Sequence, residues 1–73
     1  MREDVQRLEA LAEKYYDAMY DARGREVKEC YEDACGCLIQ AIDAAKQLGL
    51  ADEAERLDKR LRHIIGVYTH QFR

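Results

Sequence analysis

Apolar residues recur every three or four positions in three blocks, and the blocks break near Gly24 and Gly49. On a helix turning ~100° per residue, that spacing gives each block one apolar stripe. In the first block, from about Glu3 to Ala22, Leu8, Leu11, Ala12, Tyr15, Met19 and Ala22 form the stripe and Val5 extends it. Arg7, Glu9, Glu13, Lys14, Asp17 and Asp21 fall mostly on the other side, and Gly24 just beyond suits a C-terminal cap. In the second block, from Arg25 to Leu48, Val27, Ala34, Leu38, Ala41 and Ala45 lie along one line. Cys30, Cys37 and Leu48 flank that line on one side, and Tyr31, Cys35 and Ile42 on the other. An apolar face spanning roughly 160° suits a helix touched by two neighbours.

In the third block Ala54, Leu57, Leu61, Ile64 and Tyr68 step by three and four, with Ile65 and Phe72 beside them. Asp52, Glu53 and Glu55 sit at its start, where the helix dipole favours acids. Gly49 ends the second block and leaves room only for a tight turn, so the second and third helices form an antiparallel hairpin. The pattern predicts an all-α fold: a single-domain three-helix bundle over residues 1–73, running up-down-up, with a central second helix. The helices are expected at about 3–22, 25–48 and 51–70.

The segment Ala44–Ile64, AAKQLGLADEAERLDKRLRHI, resembles the turn and second helix of a tetratricopeptide-type helix pair. Leu48-Gly49 matches the pair that ends the first helix of that unit. Glu53-Ala54 matches the pair that opens the second, and Leu57 and Leu61 follow at its apolar spacing. The chain departs from that pattern at Arg60, where the family usually has a small residue, and it has no terminal proline or second copy at 34-residue spacing. The resemblance implies a helix pair with a protein-binding tendency and no catalytic residues.

Composition narrows the class. With 73 residues, 48% hydrophobic content and 37% charged content, the chain is a folded domain rather than a disordered tail. A domain this small has a marginal core, and such chains lean on a disulfide, a metal or a partner. The net charge of −3 argues against nucleic acid as partner, since phosphate binding needs clustered cations. No apolar run approaches the ~18 residues of a membrane span, and the charged start MREDVQRLEA lacks a secretory stretch. An odd number of cysteines without such a stretch points to a cytoplasmic, thiol-reducing setting.

The three cysteines all fall in CYEDACGC, Cys30 to Cys37. Cys30 and Cys37 share a helix face but lie ~10 Å apart along the axis, and Cys35 points roughly 140° away from Cys30. One helix cannot bring all three to one metal, and a disulfide among them is equally awkward. They read as small packing residues, with Cys35, at the edge of the face, the candidate reactive or interchain thiol. No cofactor or metal site is expected.

Tyr16 and Tyr20 on the first helix and Ile39 and Ile42 on the second exceed what one partner helix covers, and are the candidate interface residues. Arg56, Lys59, His63 and His70 share a face of the third helix, a candidate basic contact stripe. No catalytic or phosphate-binding motif is present, and a bundle this small offers little room for a cleft of ~300 Å³ or more. The expectation is a non-enzymatic protein-interaction module whose partner is another protein or a second copy, a homodimer. Two alternatives stand beside it: a small regulator that blocks another protein, and a redox or metal module built from cysteines of two subunits.

Overall fold

A computed structural model describes residues 2–73 and consists of three helices: α1 Arg2–Asp21, α2 Arg25–Gln47 and α3 Ala51–Val67. A single wide π turn, Tyr68–Phe72, continues α3. The short connections fold the helices back on one another, so α1 and α3 run parallel and both pack on α2. The Cα extents are 38 × 19 × 13 Å. This is the expected all-α three-helix bundle with α2 in the middle, and the helix ends fall within one to three residues of those read from the pattern.

The core shows how α2 serves two neighbours. Its buried residues are Ala34, Leu38, Ala41 and Ala45, three alanines around one leucine. Small side chains let the α1 and α3 backbones approach α2 closely. The bulk that fills the centre comes mostly from the flanking helices: Val5, Tyr16 and Met19 from α1, Leu57 and Ile64 from α3. Val27, Cys30, Tyr31, Cys35, Cys37 and Ile42 border this line half-buried, as an apolar face of that width requires.

On α1 the buried stripe is rotated from the expected one. Leu11, expected inside, is 37% exposed, and Tyr16, expected as an interface residue, is 9% exposed. The cause is α3. The expected stripe served α2 alone, whereas α1 also faces α3, and that second contact draws Tyr16 inward and turns Leu11 out.

Two glycines set the turns. At the end of α2, the Leu50 N–H donates to the Ala45 carbonyl at 2.9 Å and the Gly49 N–H to the Lys46 carbonyl at 3.1 Å. This is a Schellman closure, and it requires Gly49 to adopt its φ of +74°. Gly24 also has a positive φ, +58°, but precedes α2 and accepts the Val27 N–H at 3.2 Å. It starts α2 rather than capping α1 as the pattern suggested.

The π turn corrects the third helix, expected to run regularly to residue 70. In an α-helix Phe72 falls roughly 60° from the line of Leu57, on the side away from α1. Bonding from i to i+5 turns the chain less per residue, which brings the ring back toward α1. There it meets Tyr20 edge-to-face at 5.1 Å between centroids.

Gly36 lies inside α2 with open space where a Cβ would project, whereas Gly49 is held in the left-handed region. Gly36→Ala is expected to raise stability by roughly 0.5–1 kcal/mol and Gly49→Ala to lower it by about 1–2 kcal/mol. Urea denaturation of the two variants checks both signs.

Candidate interaction surface

The seam between α1 and α3 is closed by long polar side chains. Arg60 binds Glu13 with both arms, Nε to Oε2 at 2.8 Å and Nη2 to Oε1 at 2.6 Å. One turn earlier Arg56 does the same to Glu9, at 2.7 and 2.8 Å, and also reaches Glu53 on its own helix at 2.9 and 3.1 Å. Both interhelix pairs join residues 47 apart, the constant offset of two parallel helices in register. Two-pronged arginine–carboxylate pairs arranged as a network contribute more than single surface pairs. The Arg60 guanidinium also lies 5.0 Å from the Tyr16 ring centroid. It holds a partly buried cation against an aromatic face.

These contacts reassign several candidate residues. Tyr16 is buried, and its hydroxyl shares a 2.9 Å hydrogen bond with that of Tyr20, with the rings edge-to-face. That hydrogen bond, aided by burial, pushes the Tyr16 hydroxyl's pKa up. Tyr20 remains 50% exposed, but its ring also packs on Phe72. The two tyrosines therefore belong to the α1–α3 seam, and Tyr16 is corrected from surface to core. Tyr31 and Tyr68 close the same end of the bundle, stacked at 3.9 Å with planes 7° apart.

The basic stripe is not a row of free charges. Arg56 is held by two carboxylates, and Lys59 lies 3.6 Å from Glu55. His63 and His70 are exposed. The three cysteines are free and half-buried against the core. Burial pushes the Cys35 thiol up, partly offset by a hydrogen bond from Tyr31. Cys37 is also raised, by burial and by the nearby Asp33. A raised thiol holds less thiolate at neutral pH, which works against the reactivity expected of Cys35 at its edge position. Among the described residues no group of three or more His, Cys, Asp or Glu side chains is placed to hold a metal ion.

Ile39 and Ile42 lie on a different surface from the tyrosines. Ile39 is 56% exposed and Ile42 is half-buried, both on the flank of the α2–α3 pair that α1 leaves uncovered. Helical position places Cys35 and Lys46 in the same row of α2, and Asp58, Arg62 and Ile65 in the facing row of α3. Ile65, read from the pattern as a neighbour of the packed stripe, is 39% exposed here. Ile42, Lys46, Ala54, Glu55, Asp58 and Arg62 line an open groove of about 450 Å³ between the helices. It is roomier than the pattern suggested, but it is a surface trough rather than an enclosed cleft.

The chain matches no protein-family model, no curated protein and no solved structure. No helix among the described residues is long and apolar enough to cross a membrane. The surface itself is therefore the functional information.

Glu9 carries a pH consequence. Its hydrogen bonds to Arg56 hold its carboxyl below the ordinary glutamate value of 4.5. The unfolded chain binds that proton more readily, so the pair's contribution is complete above about pH 5 and is lost as pH falls through the depressed value. Stability is expected to fall on acidification from pH 5 to 3, by ~0.5–1 kcal/mol for this partly exposed pair. Glu9→Gln is expected to remove that component of the slope, and urea midpoints at the two pH values check it.

Proposed function

We propose that the protein is a non-enzymatic interaction module and that the outer flank of α2 and α3 is its contact surface. The observation that carries this reading is the placement of Ile39 and Ile65, both exposed and both on the flank that no helix of the chain covers. Half-buried Cys35 and Ile42 lie in the same row of α2 as Ile39, so the apolar area is a patch rather than scattered residues. Burying such a patch contributes roughly 25 cal/mol per Å², and the charges along its edge set orientation. The resemblance of Ala44–Ile64 to a tetratricopeptide-type helix pair agrees in kind. Arg60, the departure from that family, is large here because it spans the seam to Glu13.

The alternatives draw less support. A regulator using α1 as an acidic decoy loses Glu9 and Glu13 to the seam. A module built on reactive cysteines is disfavoured by the burial that raises the Cys35 and Cys37 thiols. A cytoplasmic setting suits free thiols and is part of the proposal.

A photo-crosslinking residue at position 39, expressed in the protein's own cells, tests the reading. Crosslinks to a protein are expected from position 39 and not from position 63, which is exposed but lies off the flank. Equal yields from both positions, or none from position 39, would contradict it.

A further inference from the structure

Resting on the interaction reading, we infer that the occupant of the α2–α3 flank is a second copy of this chain, packed antiparallel across a two-fold axis. Two rows of residues define this flank. On α2 the inner row Ala34, Leu38, Ala41, Ala45 is buried, and the row one residue later is Cys35, Ile39, Ile42, Lys46. On α3 the inner positions 57, 61 and 64 are likewise followed by Asp58, Arg62 and Ile65. Each outer row steps by four and three, the spacing that lets one helix seat against another.

The heights of these rows then decide the partner. Tyr31 stacks on Tyr68, and α2 ends at Gln47 where α3 begins at Ala51, so residues at one level carry numbers adding to about 98–99. The point midway between Ile39 and Ile42 is therefore level with residue ~58, within about 3 Å along the axis of the point midway between Asp58 and Arg62. A two-fold axis through that level, perpendicular to the helices, does two things at once. It sets Ile39 of each copy against Ile42 of the other, and Asp58 of each against Arg62 of the other. A two-fold contact must be self-complementary, and the pairs Ile39–Ile42 and Asp58–Arg62 satisfy that with one axis.

The charges of the groove agree. The groove carries two cations, Lys46 and Arg62, and two acids, Glu55 and Asp58, on a chain whose net charge is −3. A strongly acidic or basic partner gains little from so balanced a surface, whereas a rotated copy pairs Asp58 with Arg62 twice over. Asp58 and Arg62 already lie 3.0 Å apart within α3, with side chains 43% and 78% exposed, so both remain accessible to a partner. The pairing also creates a four-helix arrangement in which every neighbouring pair is antiparallel.

The test uses purified full-length chain, light scattering after size exclusion, and circular dichroism to confirm folding. The wild type is expected at twice the 8.5 kDa of the chain. Asp58→Arg leaves two arginines facing two arginines, and Arg62→Asp leaves two acids facing two acids. Each alone is expected to weaken the dimer at least about tenfold. An equimolar mixture is expected to recover a dimer, because only opposed flanks place the two altered pairs together. Ile39→Glu, which leaves those charges alone, is expected to give a folded monomer. A wild type that stays monomeric up to ~1 mM overturns the inference, as does a dimer indifferent to Ile39→Glu or a mixture that stays dissociated. The interaction reading fails separately, through the absence of position-39 crosslinks. Crosslinks to a different protein from a monomeric chain would leave that reading standing and remove the second copy.

Discussion

The apolar face of α2 serves two neighbouring helices at once, and it is divided by size as well as by angle. Ala34, Ala41 and Ala45 bring the backbones of α1 and α3 close, with Leu38 the one large buried side chain on that helix. Close approach fixes where α1 and α3 sit, and hence what remains outside. Ile39, turned well away from this line, is left outside, 56% exposed.

The second consequence of that geometry is the α1–α3 seam. Parallel helices set on a narrow central helix meet each other through long side chains, and Arg56 and Arg60 span the distance to Glu9 and Glu13. Aromatic rings close the end where the chain turns wide, with Tyr20 on Phe72 and Tyr31 on Tyr68. The bundle thus spends its charged and aromatic surplus on holding itself together along one edge. The remaining apolar surplus lies along the α2–α3 flank, and this division is the physical basis for assigning contact to that flank.

Much of this was legible in the amino-acid pattern. Three helices, the hairpin at Gly49, the central α2 and the isolation of Ile39 follow from periodicity and a glycine, which act locally. What periodicity misses is the angular position of a helix that touches two others. Leu11 and Tyr16 exchanged roles for that reason, because a single-stripe reading of α1 has no knowledge of α3. The π turn was equally hidden, since it answers to a ring on another helix rather than to the spacing in its own segment. The seam did leave a trace: Glu9 and Glu13 four apart on α1, and Arg56 and Arg60 four apart on α3, at one constant offset. Reading it requires knowing that α1 and α3 are parallel neighbours, which comes from the topology and not from either helix alone.

The account divides two adjacent residues of α2 between two jobs, Leu38 inside the fold and Ile39 outside it. Chemical denaturation of Leu38→Ala and Ile39→Ala in dilute monomeric protein tests that division directly. The account predicts a loss of roughly 2–4 kcal/mol for the first and less than about 0.5 kcal/mol for the second. Comparable losses for both would mean that Ile39 helps to hold the monomer together and is not a surface kept for a partner.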